Sequence, residues 1–159
     1  MSSVLLSDTA DRGDATFRWI VLVVQTFFGS WFLVHGLNYF VTFFRQPPGA
    51  SVLSHELIGA LIATGLFAWV KVVEVVVGIL LLAHRFVPLA IVAALPVTLV
   101  IAYVNLALNK DLFGLITGTV IIAANVLMAV GYLDSYRAMM RFDAGLPGLR
   151  GLRSLRGGA

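Results

Sequence analysis

Residues 66–83 read LFAWVKVVEVVVGILLLA, apolar throughout except for Lys71 and Glu74. At 1.5 Å per residue, this helix would cross most of a hydrocarbon core about 30 Å thick. It carries two opposite charges at i and i+3, which share one helix face. Upstream, Leu57 to Ala63 is also apolar, so the whole segment is longer than one crossing requires. It reads either as one continuous tilted helix or as a helical lead-in at the membrane surface, Val52 to Ala63, followed by a span. Thr64-Gly65 is the natural joint, because glycine weakens a helix interior by about 1 kcal/mol.

Three further spans flank it: Trp19 to Phe44, Phe86 to Leu108 and Leu112 to Leu133. Between Trp19 and Leu133 only seven positions are charged: Arg45, Glu56, Lys71, Glu74, Arg85, Lys110 and Asp111. The chain has 159 residues, 60% hydrophobic and 12% charged. Soluble domains run nearer 45–50% and about 25%, so the composition excludes an ordinary soluble domain. No run alternates with period two, which excludes a β-barrel. The connections are short: Gln46 to Ser51, His84-Arg85 and Asn109 to Asp111. Short connections make neighbours antiparallel. The expected fold is therefore an all-α, integral membrane, up-down four-helix bundle, with the question of a short interfacial helix before the second span left open. Residues 1–17 are expected as a cytoplasmic segment, 18–133 as the membrane domain and 134–159 as a basic cytoplasmic tail.

The net charge of +3 does not indicate nucleic acid, because five of the eleven cations fall in the last 23 residues. With four spans, both termini and the His84-Arg85 turn share a side holding most Lys and Arg. The positive-inside rule places that side in the cytoplasm of a bacterial-type inner membrane. Trp19, Tyr103, Tyr132 and Tyr136 are candidate interfacial anchors. The tail repeats with period three at Arg150, Arg153 and Arg156. These arginines suit anionic lipid or a partner subunit. The chain has no cysteine, which excludes disulfides, iron–sulfur clusters and thiolate zinc.

Ionisable groups inside a membrane point to function by default. Lys71 and Glu74 read either as a ligand or proton-handling pair, or as a salt bridge buried against a neighbouring helix. His35, Asn38 and Tyr39 fall on one face of the first helix, in the same half of the membrane as Lys71 and Glu74. Together they would suit a quinone head group, which needs hydrogen-bonding groups in an apolar cleft. The alternative is an interhelical hydrogen bond. Only His35 lies deep in a span, which argues against a haem held by two histidines. Asn105 and Asn125 are expected as interhelical contacts, and Pro96 as a kink. Gly29, Gly36, Gly78, Ala93, Gly114 and Gly118 are expected at close helix contacts.

The run Thr64-Gly65-Leu66-Phe67, Val70-Lys71-Val72-Val73-Glu74, Gly78-Ile79-Leu80-Leu81-Leu82, Arg85-Phe86-Val87-Pro88-Leu89-Ala90 and Leu95-Pro96 resembles the second and third spans of the DoxX family. Gly36-Leu37-Asn38-Tyr39-Phe40 is similar to that family's early G-L-N stretch. Asn105-Leu106-Ala107-Leu108 departs from its frequent F-H ending. The resemblance covers roughly residues 18–133 and implies a four-helix membrane bundle linked to quinone-dependent redox assemblies. It implies an accessory subunit of a respiratory or photosynthetic complex with no redox centre of its own. The alternatives are a stand-alone quinone-binding component of a membrane oxidoreductase system and a small transporter. Membrane lipids and partner subunits are the expected partners, and homo-oligomerisation stays open.

Overall fold

A computed structural model of the chain describes residues 2–45 and 49–137, with side chains from residue 13 onward. Arg150, Arg153 and Arg156 lie outside the described residues. All regular structure among the described residues is helical: α1 (Ser2–Val41), α2 (Val52–Ala63), α3 (Leu66–Leu82), α4 (Val87–Tyr103), a π-helical segment (Val104–Asn109), α5 (Leu112–Gly131) and α6 (Leu133–Arg137). Three stretches are long and apolar enough to cross a membrane: Gly13–Val41, Val87–Asn109 and Leu112–Gly131. The bent pair α2 and α3 supplies a fourth candidate.

Helix α1 begins at Ser2, so residues 2–17 continue the first helix rather than precede it. At its other end the expected span to Phe44 is too long. The helix stops at Val41, Thr42 takes a positive φ of 54°, and the chain turns back. Asn38 fixes that reversal. Its Nδ2 donates to the Phe44 carbonyl at 2.9 Å, and the Phe44 N–H donates to its Oδ1 at 2.8 Å.

Between α2 and α3 the helix axis bends by 88°. Ser51 caps the start of α2 in a capping box with Ser54, satisfying backbone donors that a helix start leaves unpaired. At the far end Gly65 sits at φ 76°. A Cβ added there would meet nothing within 4 Å, so the backbone conformation alone asks for glycine. Replacing Gly65 with alanine should cost about 1–2 kcal/mol, the penalty for a side chain in the left-handed region. Thermal melting in detergent checks this, and Gly65→Asn should lose less than Gly65→Ala.

Helix α3 packs against α1 and α4, and α5 packs against α4 and α1. The α1–α3 contact is close because glycines meet there. A Cβ on Gly78 would lie 2.7 Å from the Leu33 nitrogen, and one on Gly36 would lie 3.0 Å from the Lys71 carbonyl. Gly114 and Gly118 approach the π-helical segment at Asn105 and Leu106. Ala93, expected at such a contact, is exposed instead. Helix α4 runs on through Pro96 without a break. Its last turn widens into the π-helix, closed by the Lys110 N–H donating to the Asn105 carbonyl at 3.2 Å.

The core gathers Phe28, Phe32, Val77, Leu81, Ile91, Ile121 and Met128. Outside it many large apolar side chains stay exposed, among them Trp19, Trp69, Leu89 and Phe113. An outer surface this apolar suits lipid and not water. Asn125 makes the expected α4–α5 contact, its Nδ2 pointing at the Ile91 carbonyl and the Thr98 hydroxyl at 3.4 and 3.5 Å. Asn105 packs against Gly114 and Gly118 of α5, but its Nδ2 donates one turn back, to the Ile101 carbonyl at 2.8 Å.

Candidate functional site

The α2–α3 end of the molecule holds a cavity of about 320 Å³. Trp31, Phe32 and His35 of α1 form one wall, and Lys71 and Glu74 of α3 the next. Ile58 of α2, Phe44 and the Gly49-Ala50 loop lie over it. The remaining wall comes from Ile101, Asn105 and Asn109 at the widened end of α4, with Asp111, Phe113 and Thr117 at the start of α5.

Lys71 and Glu74 form a two-pronged ion pair, Nζ to the carboxylate oxygens at 2.9 and 2.8 Å. Both are buried, at 7% and 2% exposure. The Lys71 ammonium also sits 5.0 Å from the centre of the Phe67 ring, in cation–π range. Lysine before glutamate is the weaker order on a helix, so burial and not local pairing holds them together. A lone charge buried this far is costly, and an opposite partner offsets part of that cost.

His35 is positioned as firmly. Its ring stacks on Trp31 at 4.2 Å, and its Nδ1–H donates to the Trp31 carbonyl at 2.9 Å. A carbonyl can only accept, so Nδ1 carries the hydrogen in that bond. The Phe44 ring stands edge-on at 5.4 Å, held there by the Asn38 clamp on its backbone. The loop above is pinned as well, since the Ala50 N–H donates to Asn109 Oδ1 at 2.9 Å. Asp111 caps α5, accepting from the Gly114 N–H at 3.3 Å.

Three of the five residues expected at the site therefore meet in one cavity: His35, Lys71 and Glu74. Asn38 does not line it, because both ends of its amide are committed to Phe44, and its role is to set the turn. Tyr39 also stays out of it. Its ring packs edge-on against Phe67 at 5.5 Å on the outer side of α1. Trp31, Phe44, Asn105, Asn109, Asp111 and Thr117 are additions, half of them brought in by the chain reversal at Thr42 and the π-helix.

A second polar cluster ties the opposite end together. Gln25, fully buried, donates from Nε2 to the Leu81 carbonyl at 2.7 Å and to His84 Nδ1 at 3.1 Å. The Tyr132 hydroxyl donates to Gln25 Oε1 at 2.7 Å, and that of Tyr136 to the Pro88 carbonyl at 2.9 Å. Burial holds both phenols above the usual tyrosine range, so they serve as donors. Tyr132 and Tyr136 thus face inward as staples and not outward as interfacial anchors, unlike the exposed Trp19 and Tyr103. These bonds tie α1 to the end of α3, to the α3–α4 turn and to the residue after α5, and α6 to α4; none of their residues lines the cavity.

No family model, no curated protein and no solved structure matches this chain.

Proposed function

We propose that the chain is a DoxX-like, up-down four-helix bundle of a bacterial-type inner membrane, with both termini cytoplasmic. Helix α2 lies along the outer surface, its exposed Val52, Leu53 and Ile62 dipping into lipid. The protein holds the head group of a quinone as an accessory subunit of a larger respiratory or photosynthetic redox complex. One observation carries this reading: an aromatic-walled cavity with a buried ion pair and an oriented imidazole. Counting from Leu66, Lys71 and Glu74 lie about 8–12 Å along α3. The volume sits at the low end for small-molecule pockets, about 300–1000 Å³, which fits a head group and leaves the tail outside. Trp31 and Phe44 offer faces and edges to a flat ring. The Lys71 ammonium supplies a donor for one of its oxygens.

The test is purification in gentle detergent at native expression level, with mass spectrometry of co-purifying proteins and extracted lipids. Stoichiometric quinone together with a redox complex is the expected result. A Lys71→Met/Glu74→Leu double variant should fold and lose the quinone. Quinone-free unmodified protein, or full occupancy in the folded double variant, would sink the reading. A lone protein carrying quinone would move it from accessory subunit to stand-alone component.

A further inference from the structure

Resting on the quinone reading, we infer that the cavity opens sideways into the bilayer between Trp31 of α1 and Phe113 and Thr117 of α5, and so selects a long-tailed amphiphile over a water-soluble ring.

The two helices meet at one end and part at the other. At the Gln25 end they touch: a Cβ on Gly131 would lie 2.7 Å from Val21, and the Tyr132 hydroxyl reaches Gln25. Toward the other end the cavity stands between them, with Trp31 and His35 on one side and Phe113 and Thr117 on the other. The polar end of the cavity is the tethered one. There the loop is pinned by the Ala50–Asn109 hydrogen bond, and Phe44 is pinned by both ends of the Asn38 side-chain amide. The α1–α5 side is bordered by Trp31, Phe113 and Thr117, and the surface outside it is apolar. Phe27 is 49% exposed and Ile116 56%, on the two helices that flank the gap. A head group seated at Lys71 and Glu74 would send an alkyl or isoprenoid tail out between these helices into lipid. The tail's contacts then lie with solvent already apolar, so no ordered groove has to be built for it.

The test uses the full chain in lipid nanodiscs with two probes: a benzoquinone ring bearing a ten-carbon tail, and the same ring with a methyl in its place. Thr117→Phe narrows the gap, and Ala50→Phe crowds the pinned loop. Thr117→Phe should weaken the tailed ring about tenfold or more and the tail-less ring less than about twofold, since overpacking penalises only what must pass the gap. Ala50→Phe should not produce that difference. Equal losses of both rings in Thr117→Phe, or the selective loss in Ala50→Phe, would overturn the lateral opening. A second measurement needs no substitution: a tailed quinone with a photoreactive diazirine at its tail end, cross-linked to the unmodified protein and mapped by peptide mass spectrometry. Labels on α1 and α5 near Phe27, Ile116 and Val120 are expected; labels on the 49–52 loop or on α2 overturn the inference. Failure of both rings to bind the unmodified protein overturns the quinone reading itself, and the opening with it. Binding with labels elsewhere overturns the opening alone.

Discussion

Replacing Lys71 alone with methionine will destabilise the protein by about 3–5 kcal/mol, the loss expected when one partner of a buried ion pair is removed. The reason is the uncompensated carboxylate. Glu74 is 2% exposed, and both its oxygens are held by Lys71. Without the ammonium it faces Trp31, Phe32 and Ile101 across the cavity. Glu74→Leu alone should be damaging for the mirror reason, although the Phe67 ring retains a weak hold on the stranded ammonium. Removing both charges together should cost far less than either single change, because well-packed apolar groups replace a buried pair at little penalty. Thermal melting and the monodisperse fraction in detergent, measured for the two singles and the double, settle the matter. Similar mild losses in all three would show that the pair is solvated and that the cavity is wetter than its walls suggest.

The same pair shows how far the sequence could be read. Lys71 and Glu74 stand out because nothing else in residues 66–83 is charged, and a charge in an apolar run needs a partner. The joint at Thr64-Gly65 was legible for a related reason: an excess of apolar length next to a glycine leaves a bend as one of two solutions, and the 88° angle selects it. His35 was legible from its depth. The face shared by His35, Asn38 and Tyr39 was a weaker guide, since helical spacing does not register that the chain doubles back at Thr42. That reversal commits Asn38 to the backbone and brings Phe44 over the imidazole. The π-helix was illegible for a different reason. Residues 104–109, VNLALN, carry no proline, glycine or charge to mark a change of hydrogen-bond register. The widened turn turns Asn105 and Asn109 toward the cavity, and such turns recur at functional sites. Gln25, a polar residue in an apolar helix, drew no expectation from the sequence, because its partners, Leu81, His84 and Tyr132, are distant in sequence, and no local pattern links them.

Replacing Gly78 with alanine is the second large effect, and it reaches the site without touching it. A methyl on Gly78 would stand 2.7 Å from the Leu33 nitrogen and 2.8 Å from the Gly29 carbonyl. Both are backbone atoms, which cannot rotate away as a side chain can. Helices α1 and α3 must therefore separate, and overpacking of this kind costs about 1–3 kcal/mol even where the surroundings relax. The separation is felt at the cavity because the same crossing carries it: Glu74 lies one turn before Gly78, and His35 lies two residues beyond Leu33. Moving α3 outward draws the ion pair from the imidazole, so Gly78→Ala should lose bound quinone as well as stability. Two other glycines grade the argument. A Cβ on Gly118 would meet the Leu106 side chain at 2.8 Å, a group that can shift, so Gly118→Ala should be the milder change. Gly59, in the middle of α2, has nothing within 4 Å. Alanine there should be neutral or stabilising by as much as about 1 kcal/mol, from helix propensity alone. The order Gly78, Gly118, Gly59, from most to least damaging, follows from what each methyl would strike, and melting curves of the three variants in one detergent measure it. If Gly78→Ala melts with Gly59→Ala, the α1–α3 contact is looser than the backbone distances require, and the cavity wall cannot depend on it.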